Sequence, residues 1–410
     1  MKTILFTPFT ANLAETTRAI AIAQAIVGEF DCRFASYGGQ FEDLVDEAGF
    51  PHTRLEPRVT PEVMEHAYAV ERGKKLDTFM PLERVRQMVA GEIEFLRQLR
   101  PAAVVTGMTI SFSTSCAATN TPLIWVIQSG MRVLATAKSG AFKDLDMLAP
   151  LHWLPENARI ALSTFLLTNV MKVGFRSFDQ VAREHNLPPF ASFDGLFERS
   201  DHLLVAEPPD FSDLPPLPTG HYIGPLIARL DQPIPDEIHN LPKDRPIVYF
   251  AMGSSGDADV VARILAGFAG KPYRVIAPVK SLLASQPITI PDNVLLTDWL
   301  PAHKVNPLAD LSVIHGGIGT VMTACLAGKP IVGVAMQPEQ QANLDNLVKK
   351  GFAVRIPKGQ LTPQRLCAEI ERLLADPVAK RKAQEYQQTA RQWDNPQHVQ
   401  KFFRDTLSNN

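Results

Sequence analysis

The residues best suited to chemistry in this sequence are a run of glycines beside a histidine. A short apolar strand is predicted at residues 311–314, and a helix is predicted from about Thr320. Between them lie His315, Gly316, Gly317 and Gly319. Glycines let the backbone approach a ligand closely, and the start of a helix adds unpaired N–H groups and a positive dipole end. Such a corner suits an anion, above all a diphosphate, to which His315 can add a hydrogen bond or a positive charge.

A polar cluster follows the next predicted strand. The helix ends near Gly328, an apolar strand begins at Ile331, and Glu339 and Gln340 come after that strand. In open α/β sheets, ligands gather at the carboxyl ends of strands. A carboxylate accepts bonds from two neighbouring hydroxyls and an amide both donates and accepts, which favours a sugar. The alternative is a plain helix start, with Pro338 in its first turn and Glu339 placed there by the helix dipole.

Further candidate donors flank the glycines. Ser254 and Ser255 follow a predicted strand, where they can offer hydroxyl and N–H groups to a phosphate or simply cap a helix. Trp299 and Leu300 precede a proline, where an aromatic side chain can stack on a flat ligand or pack at a domain edge. The hydroxyl of Thr320 can cap the helix, bind a phosphate oxygen, or do both.

Residues 299–343 together resemble the nucleotide-sugar glycosyltransferases of the GT-B fold, glycosyltransferase family 1. That family includes UDP-glucuronosyltransferases, plant and sterol glycosyltransferases, and bacterial macrolide and antibiotic glycosyltransferases. The resemblance implies that Trp299 stacks on the nucleotide base and that the backbone of Leu300 reads the edge of the base. It also implies a diphosphate held by the glycine corner and sugar hydroxyls held by Glu339 and Gln340. Two positions depart from the family pattern, because Ala302 replaces a glutamine and Thr323 a glutamate that binds ribose.

The general base is the least certain residue of the predicted site. Relatives place a histidine on the first helix, and alignment puts Glu15 at that position. A glutamate with an ordinary pKa of about 4.3 is a poor base at neutral pH unless burial raises that pKa. The alternative is a capping box, in which the Glu15 side chain folds back on the Asn12 N–H. His52, His66 and Asp77 are spare candidates without a supporting motif.

The composition excludes several classes of function. The 410 residues carry 41 basic and 43 acidic side chains, and a net charge of −2 does not favour nucleic acid. No apolar run reaches the roughly 18 residues of a membrane span, and the N-terminus has no signal-peptide pattern. Residues 131–199 mix apolar and polar side chains in a way compatible with peripheral membrane contact. Four scattered cysteines are typical of a reduced, cytoplasmic protein.

Strands and helices alternate from residue 4 onwards, which predicts an α/β protein with two doubly wound parallel sheets. The resemblance makes these the two facing Rossmann-like domains of the GT-B fold, the first holding an acceptor and the second the donor. A proline-rich stretch reads as the connector between them. The predicted segments are residues 1–207, 208–243, 244–385 and a terminal helix at 386–410 that returns to the first domain. We expect most of residues 131–199 to pack against the first sheet; the alternative is that they line the acceptor pocket.

These observations favour an inverting glycosyltransferase that moves a sugar from a UDP- or dTDP-sugar to a hydroxyl of a small lipophilic or aromatic acceptor. The predicted catalytic residues are Glu15 and His315. No metal or further cofactor is expected, because backbone donors can meet the diphosphate charge and no His/Cys cluster that would hold a metal is present. Two alternatives stay open: a nucleotide-sugar 2-epimerase on the same scaffold, and a nucleotide-sugar-binding protein without catalysis.

Overall fold

The computed structural model describes residues 1–71, 75–143, 145–151, 153–229, 232–252, 258–284 and 288–407. Its strands form two sheets, and every strand pair for which a register is defined is parallel. The predicted α/β architecture of two doubly wound sheets is therefore confirmed.

The first sheet has seven strands in the order β3-β2-β1-β4-β5-β6-β7. They are β1 (Thr3–Thr7), β2 (Asp31–Ser36), β3 (His52–Arg54), β4 (Ala103–Thr106), β5 (Leu123–Ile127), β6 (His202–Val205) and β7 (Gly220–Tyr222). The central strands are apolar on both faces because helices cover both, and the side chains of Ile4 and Leu5, which point to opposite faces, are fully buried. The order reverses between β1 and β4, which brings the loops after these two strands together at the carboxyl edge.

The helices of the first half surround this sheet. They are α1 (Leu13–Ile26), α2 (Asp43–Glu47), α3 (Pro61–Glu71), α4 (Leu82–Leu99), α5 (Ser111–Thr119), α6 (Val133–Lys138), α7 (Glu156–Gly174), α8 (Arg176–Glu184) and α9 (Phe193–Phe197). A 3-10 turn, Ser129–Met131, follows β5 directly. None of the helices among the described residues is long and apolar enough to cross a membrane.

The second sheet has six strands in the order β10-β9-β8-β11-β12-β13. They are β8 (Ile247–Ala251), β9 (Arg274–Ala277), β10 (Val294–Leu296), β11 (Leu311–Ile314), β12 (Ile331–Gly333) and β13 (Ala353–Arg355). The helices are α10 (Asp236–His239), α11 (Ala258–Ala266), α12 (Ala302–Val305), α13 (Ile318–Ala327), α14 (Pro338–Lys350), α15 (Pro363–Leu374), α16 (Pro377–Trp393) and α17 (Gln397–Leu407).

The stretch at residues 208–243, predicted as a connector, is not free of regular structure. Strand β7 lies inside it and pairs with β6, with Leu204 opposite His221, so the first sheet extends past residue 207. Helix α10 also lies inside it. The prediction of a plain connector is wrong because the open edge of β6 offers unpaired backbone groups, which a short extended segment can satisfy whatever its side chains.

The terminal helix α17 packs on the first half of the chain. Phe402 and Phe403 are buried in the same apolar cluster as Ile4 and Phe6. At its end the Lys2 ammonium donates to the Leu407 carbonyl at 2.7 Å. The chain thus crosses from the first half to the second and back again.

Candidate active site between the two sheets

A cavity of about 540 Å³ lies where the carboxyl ends of the two sheets face each other. Its lining residues follow strand ends directly: Gln128 follows β5, Pro278 follows β9 and His315 follows β11. The cavity brings together most of the predicted site residues, namely Glu15, Trp299, Leu300, His315, Gly317, Gly319, Thr320, Glu339 and Gln340.

The glycine corner takes the predicted strand–turn–helix form. Gly316 has a φ of +92°, and a side chain there would come within 2.7 Å of the Gln340 carbonyl, so only glycine fits. Gly317 precedes α13 without a side-chain cap, and the Thr320 hydroxyl donates to the Gly317 carbonyl at 2.8 Å. Among the described residues, no side-chain cap bond is seen at the start of α13, from Thr320 or another residue. The first-turn N–H groups of α13 stay available to a ligand at the cavity wall.

His315 is held as a neutral imidazole beside this corner. Its Nδ1 lies 3.4 Å from the Ala251 carbonyl, which can only accept, so Nδ1 carries the proton of that contact. Burial lowers the pKa of His315 below its ordinary value. Its Nε2 lies 2.6 Å from where a side chain on Gly317 would begin, so the ring covers the glycine corner.

The end of the cavity at Trp299 and Leu300 is largely apolar. The Trp299 side chain is 46% exposed, which leaves an open aromatic face, whereas Leu300 is buried. The Thr323 hydroxyl donates to the Gly319 carbonyl at 2.6 Å, so its proton is already used. Ala302 contributes only a methyl group. At the two positions that depart from the family pattern, the chain therefore offers at most one hydrogen-bond acceptor, the Thr323 oxygen.

Glu339 is braced by a residue that sequence reasoning did not single out. The Asn343 amide donates to Glu339 Oε1 at 3.0 Å and to the Gly316 carbonyl at 3.1 Å, and Asn343 is fully buried. The signal was present, because residues four apart share one face of a helix. Gln340 is less free than predicted, since its Oε1 accepts from the Met336 N–H at 2.9 Å.

Glu15 faces the cavity and does not form the capping box. The Asn12 N–H donates to the Phe9 carbonyl at 3.0 Å, so it is not available to the Glu15 carboxylate. The Asn12 side chain instead caps the N–H groups of Ala14 and Glu15. Glu15 Oε1 accepts from Arg18 Nη1 at 2.9 Å. Burial raises the pKa of Glu15, and the Arg18 charge opposes that rise.

Known proteins share both the sequence and the architecture. Residues 268–404 match the family model described as Erythromycin biosynthesis protein CIII-like, C-terminal domain. A "PGL/p-HBAD biosynthesis glycosyltransferase" of Mycobacterium tuberculosis (strain ATCC 25177 / H37Ra) is 24% identical, covering 98% of this chain and 92% of its own. The chain is a glycosyltransferase, and these similarities support a GT1-like one.

Solved structures show the same fold for this glycosyltransferase. The glycosyltransferase VinC in complex with dTDP matches with a TM-score of 0.71 at 18% identity, over the whole of both chains. The spinosyn rhamnosyltransferase SpnG complexed with spinosyn aglycone matches with a TM-score of 0.68 at 14% identity, covering 98% of this chain and all of that one. The GT-B fold expected from the sequence is confirmed.

The glycosyltransferase has a second, apolar pocket of about 110 Å³ in its first half. Tyr68 lines both this pocket and the cavity, so the two adjoin. Its wall is mostly methionine and aromatic side chains: Phe9, Tyr37, Met64, Phe79, Met80, Met88, Met108, Phe178 and Phe193. Only the last two of these lie in residues 131–199. The strand ends, α3, α4 and the segment between these two helices supply the rest.

A buried carboxyl group lies behind that apolar pocket. Glu92 is fully buried and accepts from the Tyr37 hydroxyl at 2.7 Å and the Ser111 hydroxyl at 2.5 Å. Burial raises the pKa of Glu92 to about 7, against the effect of these bonds. Tyr37 and Ser111 both line the pocket, so Glu92 fixes the orientation of two pocket hydroxyls.

The spare base candidates lie elsewhere in the glycosyltransferase. The His52 ring is buried, with Nδ1 3.0 Å from the Asp46 carboxylate and Nε2 2.9 Å from the Ser36 hydroxyl. His66 Nε2 donates to a backbone carbonyl at 2.9 Å, and Asp77 is beside it. None of the three lines the cavity. Ser254 and Ser255, predicted to bind phosphate, lie outside the described residues.

Proposed function

We propose that this glycosyltransferase moves a sugar from a UDP- or dTDP-sugar to a hydroxyl group of a small lipophilic or aromatic acceptor, with inversion and without a metal. One observation carries the proposal: a single cavity is lined on one side by the glycine corner and on the other by Glu15. A donor diphosphate at the corner therefore leaves its sugar between the two, within reach of a base on the opposite wall.

The chemistry follows from that arrangement. Glu15 takes the proton of the acceptor hydroxyl, and the acceptor oxygen attacks the anomeric carbon from the face opposite the diphosphate. The anomeric C–O bond breaks, and its electron pair leaves with the nucleoside diphosphate. Negative charge then grows at the corner, where the first-turn N–H groups of α13 and the ring of His315 can stabilise it without a metal ion.

Sugar binding is supported by α14. Glu339 lines the cavity, its Oε1 accepts from the Asn343 amide at 3.0 Å, and a carboxylate at this place can accept from sugar hydroxyls. Gln340 keeps an amide N–H that can still donate, although its oxygen holds the Met336 N–H.

The acceptor class is supported by the apolar pocket. Its methionine and aromatic walls suit a lipophilic or aromatic body, since methionine adapts its shape and contacts rings well. Because Tyr68 is shared with the cavity, such a body can lie in the pocket while its hydroxyl reaches Glu15.

A donor and acceptor panel tests the proposal. UDP- and dTDP-sugars would be incubated with lipophilic alcohols and phenols, with and without EDTA, and nucleoside diphosphate release measured. We expect release that depends on acceptor and is unaffected by EDTA, and NMR of the product should show the inverted anomeric configuration.

The other outcomes contradict the proposal in distinct ways. An epimerised donor formed without acceptor would identify a nucleotide-sugar 2-epimerase. Nucleotide binding by calorimetry with no turnover for any acceptor would identify a binding protein. Loss of transfer in EDTA, restored by a divalent cation, would exclude the metal-free mechanism.

A further inference from the structure

Glu15 owes its position to a contact within its own helix. Residues 15 and 18 are three apart on α1 and therefore lie on the same face. Arg18 Nη1 donates to Glu15 Oε1 at 2.9 Å, and the two side chains are only 3% and 8% exposed. A buried ion pair of this kind holds its geometry, because breaking it leaves an uncompensated charge away from water.

Arg18 is itself fixed from the other side. The Gln128 carboxamide faces the guanidinium. Because a guanidinium can only donate, we assign the amide oxygen to this side, where it accepts from Nη1 at 2.8 Å and from Nη2. Gln128 is buried at the end of β5, so the sheet anchors the guanidinium. Arg18 is thus clamped between a helix carboxylate and a strand-end amide.

The second oxygen of Glu15 is left without a donor. No described residue donates a hydrogen bond to Oε2. This oxygen lies against Gly107, where an added Cβ would sit 1.6 Å from it. Gly107 directly follows β4, so the carboxylate occupies the space that any other side chain at this position would take.

We propose that Arg18 is a positioning residue for glycosyl transfer: it occupies Glu15 Oε1 so that Oε2, seated on Gly107, takes the proton of the acceptor hydroxyl. The inference rests on the proposed transfer with Glu15 as base. The proton passes from the acceptor oxygen to Oε2 while that oxygen bonds to the anomeric carbon and the diphosphate departs with the bonding electrons. Arg18 touches none of the reacting atoms and acts through Glu15.

The electrostatics agree with this role. Burial raises the pKa of Glu15, and Arg18 is the charge that opposes the rise. Other titratable groups surround the pair: His315 and Glu339 line the same cavity, and Glu207 lies behind Ser129 at the end of β6. Burial raises the pKa of Glu207 to about 8, and the Arg18 charge acts against that rise too. The pKa of His315 is lowered by burial, so among these groups Arg18 is the cation that favours the ionised form of Glu15.

The test is the pH dependence of kcat/KM, with an acceptor that does not titrate in the range studied. Removing the charge in Arg18→Met should move the acid limb of the profile to higher pH by about 1–3 units, the usual effect of an opposite charge on a carboxyl pKa. Arg18→Lys should keep the limb close to its wild-type position. Glu15→Gln should lose both the limb and most of the activity.

A second variant leaves the charges untouched. Gly107→Ala should displace Oε2 and lower kcat by about tenfold or more, with the acid limb unmoved, because a small misplacement of a catalytic group is costly. This variant decides the matter if Arg18→Met does not fold. Calorimetric affinity for dTDP or UDP should be unchanged in all four variants.

The failures are distinguishable. If the wild-type protein transfers no sugar to any acceptor, the proposed function fails. If it does transfer sugar, a folded Arg18→Met variant whose acid limb lies at the wild-type pH overturns the role of Arg18 but not the proposed function. A Gly107→Ala enzyme with wild-type kcat overturns the role of Oε2.

Discussion

At the residue scale, the protonation state of His315 decides whether its Nε2 would repel a bound diphosphate or donate a hydrogen bond to it. In the free protein Nδ1–H points to the Ala251 carbonyl, and burial lowers the pKa of the ring, so Nε2 is a bare acceptor over Gly317. A bare acceptor repels a phosphate oxygen. A bound diphosphate would favour the imidazolium, in which Nε2 becomes a charged donor.

Nucleotide binding should therefore take up a proton at His315. Because the free pKa is lowered and the bound pKa is higher, uptake occurs between the two values, and affinity falls as pH rises through that window. Calorimetry in two buffers of different ionisation enthalpy, at about pH 6–7 near the ordinary pKa of histidine, measures the uptake. His315→Gln is the control, since the nucleotide's own phosphate titrates equally with both proteins. Equal proton uptake by both would contradict this account.

Residue types were predictable in the site, but their states were not. The spacing of the glycines and the cluster at Glu339 follow from chain order, so sequence reasoning could place them at strand ends. The tautomer of His315 depends on Ala251, a residue of another strand. Likewise the capping box at Asn12 fails because its N–H is already bonded to the Phe9 carbonyl, a turn with no distinctive sequence pattern.

At the element scale, α14 links the two parts of the cavity proposed to hold the sugar and the diphosphate. Asn343 lies one helical turn after Glu339 on α14, and its amide donates both to the Glu339 carboxylate and to the Gly316 carbonyl. Asn343→Ala should weaken donor-sugar binding by about tenfold, since a hydrogen bond to a charged group contributes roughly 1.5–3 kcal/mol. The affinity for free nucleoside diphosphate should fall less, because the first-turn donors of α13 remain.

Calorimetry with the donor sugar and with its diphosphate measures the two affinities. Lys349→Ala is the matched control, since Lys349 lies on the same helix with its side chain 63% exposed, in a surface ion pair with Asp213. The role of Asn343 is refuted if Asn343→Ala loses affinity for both ligands by the same factor, or if Lys349→Ala loses donor-sugar affinity as well.

Helices and strands were predictable where an apolar pattern repeats over many residues. They were not predictable where only backbone pairing with a neighbouring strand forms the element. Helix α4, Leu82–Leu99, is predictable from the sequence because its apolar face repeats over many turns. Helix α2, Asp43–Glu47, has only 5 residues, which is too short for an apolar face to repeat. Strand β7 has three residues and no apolar alternation, so only the neighbouring edge of β6 makes it a strand.

At the scale of the whole molecule, the two halves meet beside the sugar site. Gly130, in the 3-10 turn of the first half, packs against α14 of the second, and an added Cβ would lie 2.7 Å from Glu339 Cγ. The Gln341 amide also crosses, donating to the Ala141 carbonyl at 3.0 Å. Glu15 and Glu339 come from different halves, so the distance between base and sugar depends on how closely the halves approach.

Widening this contact should separate binding from turnover. Gly130→Val places a branched side chain against Glu339, while the diphosphate corner lies entirely in the second half and should keep its nucleotide affinity. Transfer should fall by about 10- to 100-fold, because displacement of reacting groups by about 1 Å is costly. Gly28→Ala is the control, since nothing lies within 4 Å of a side chain there. Calorimetry and steady-state kinetics decide: unchanged kcat in Gly130→Val, or nucleotide affinity lost in proportion, would show that the approach of the halves does not set the rate.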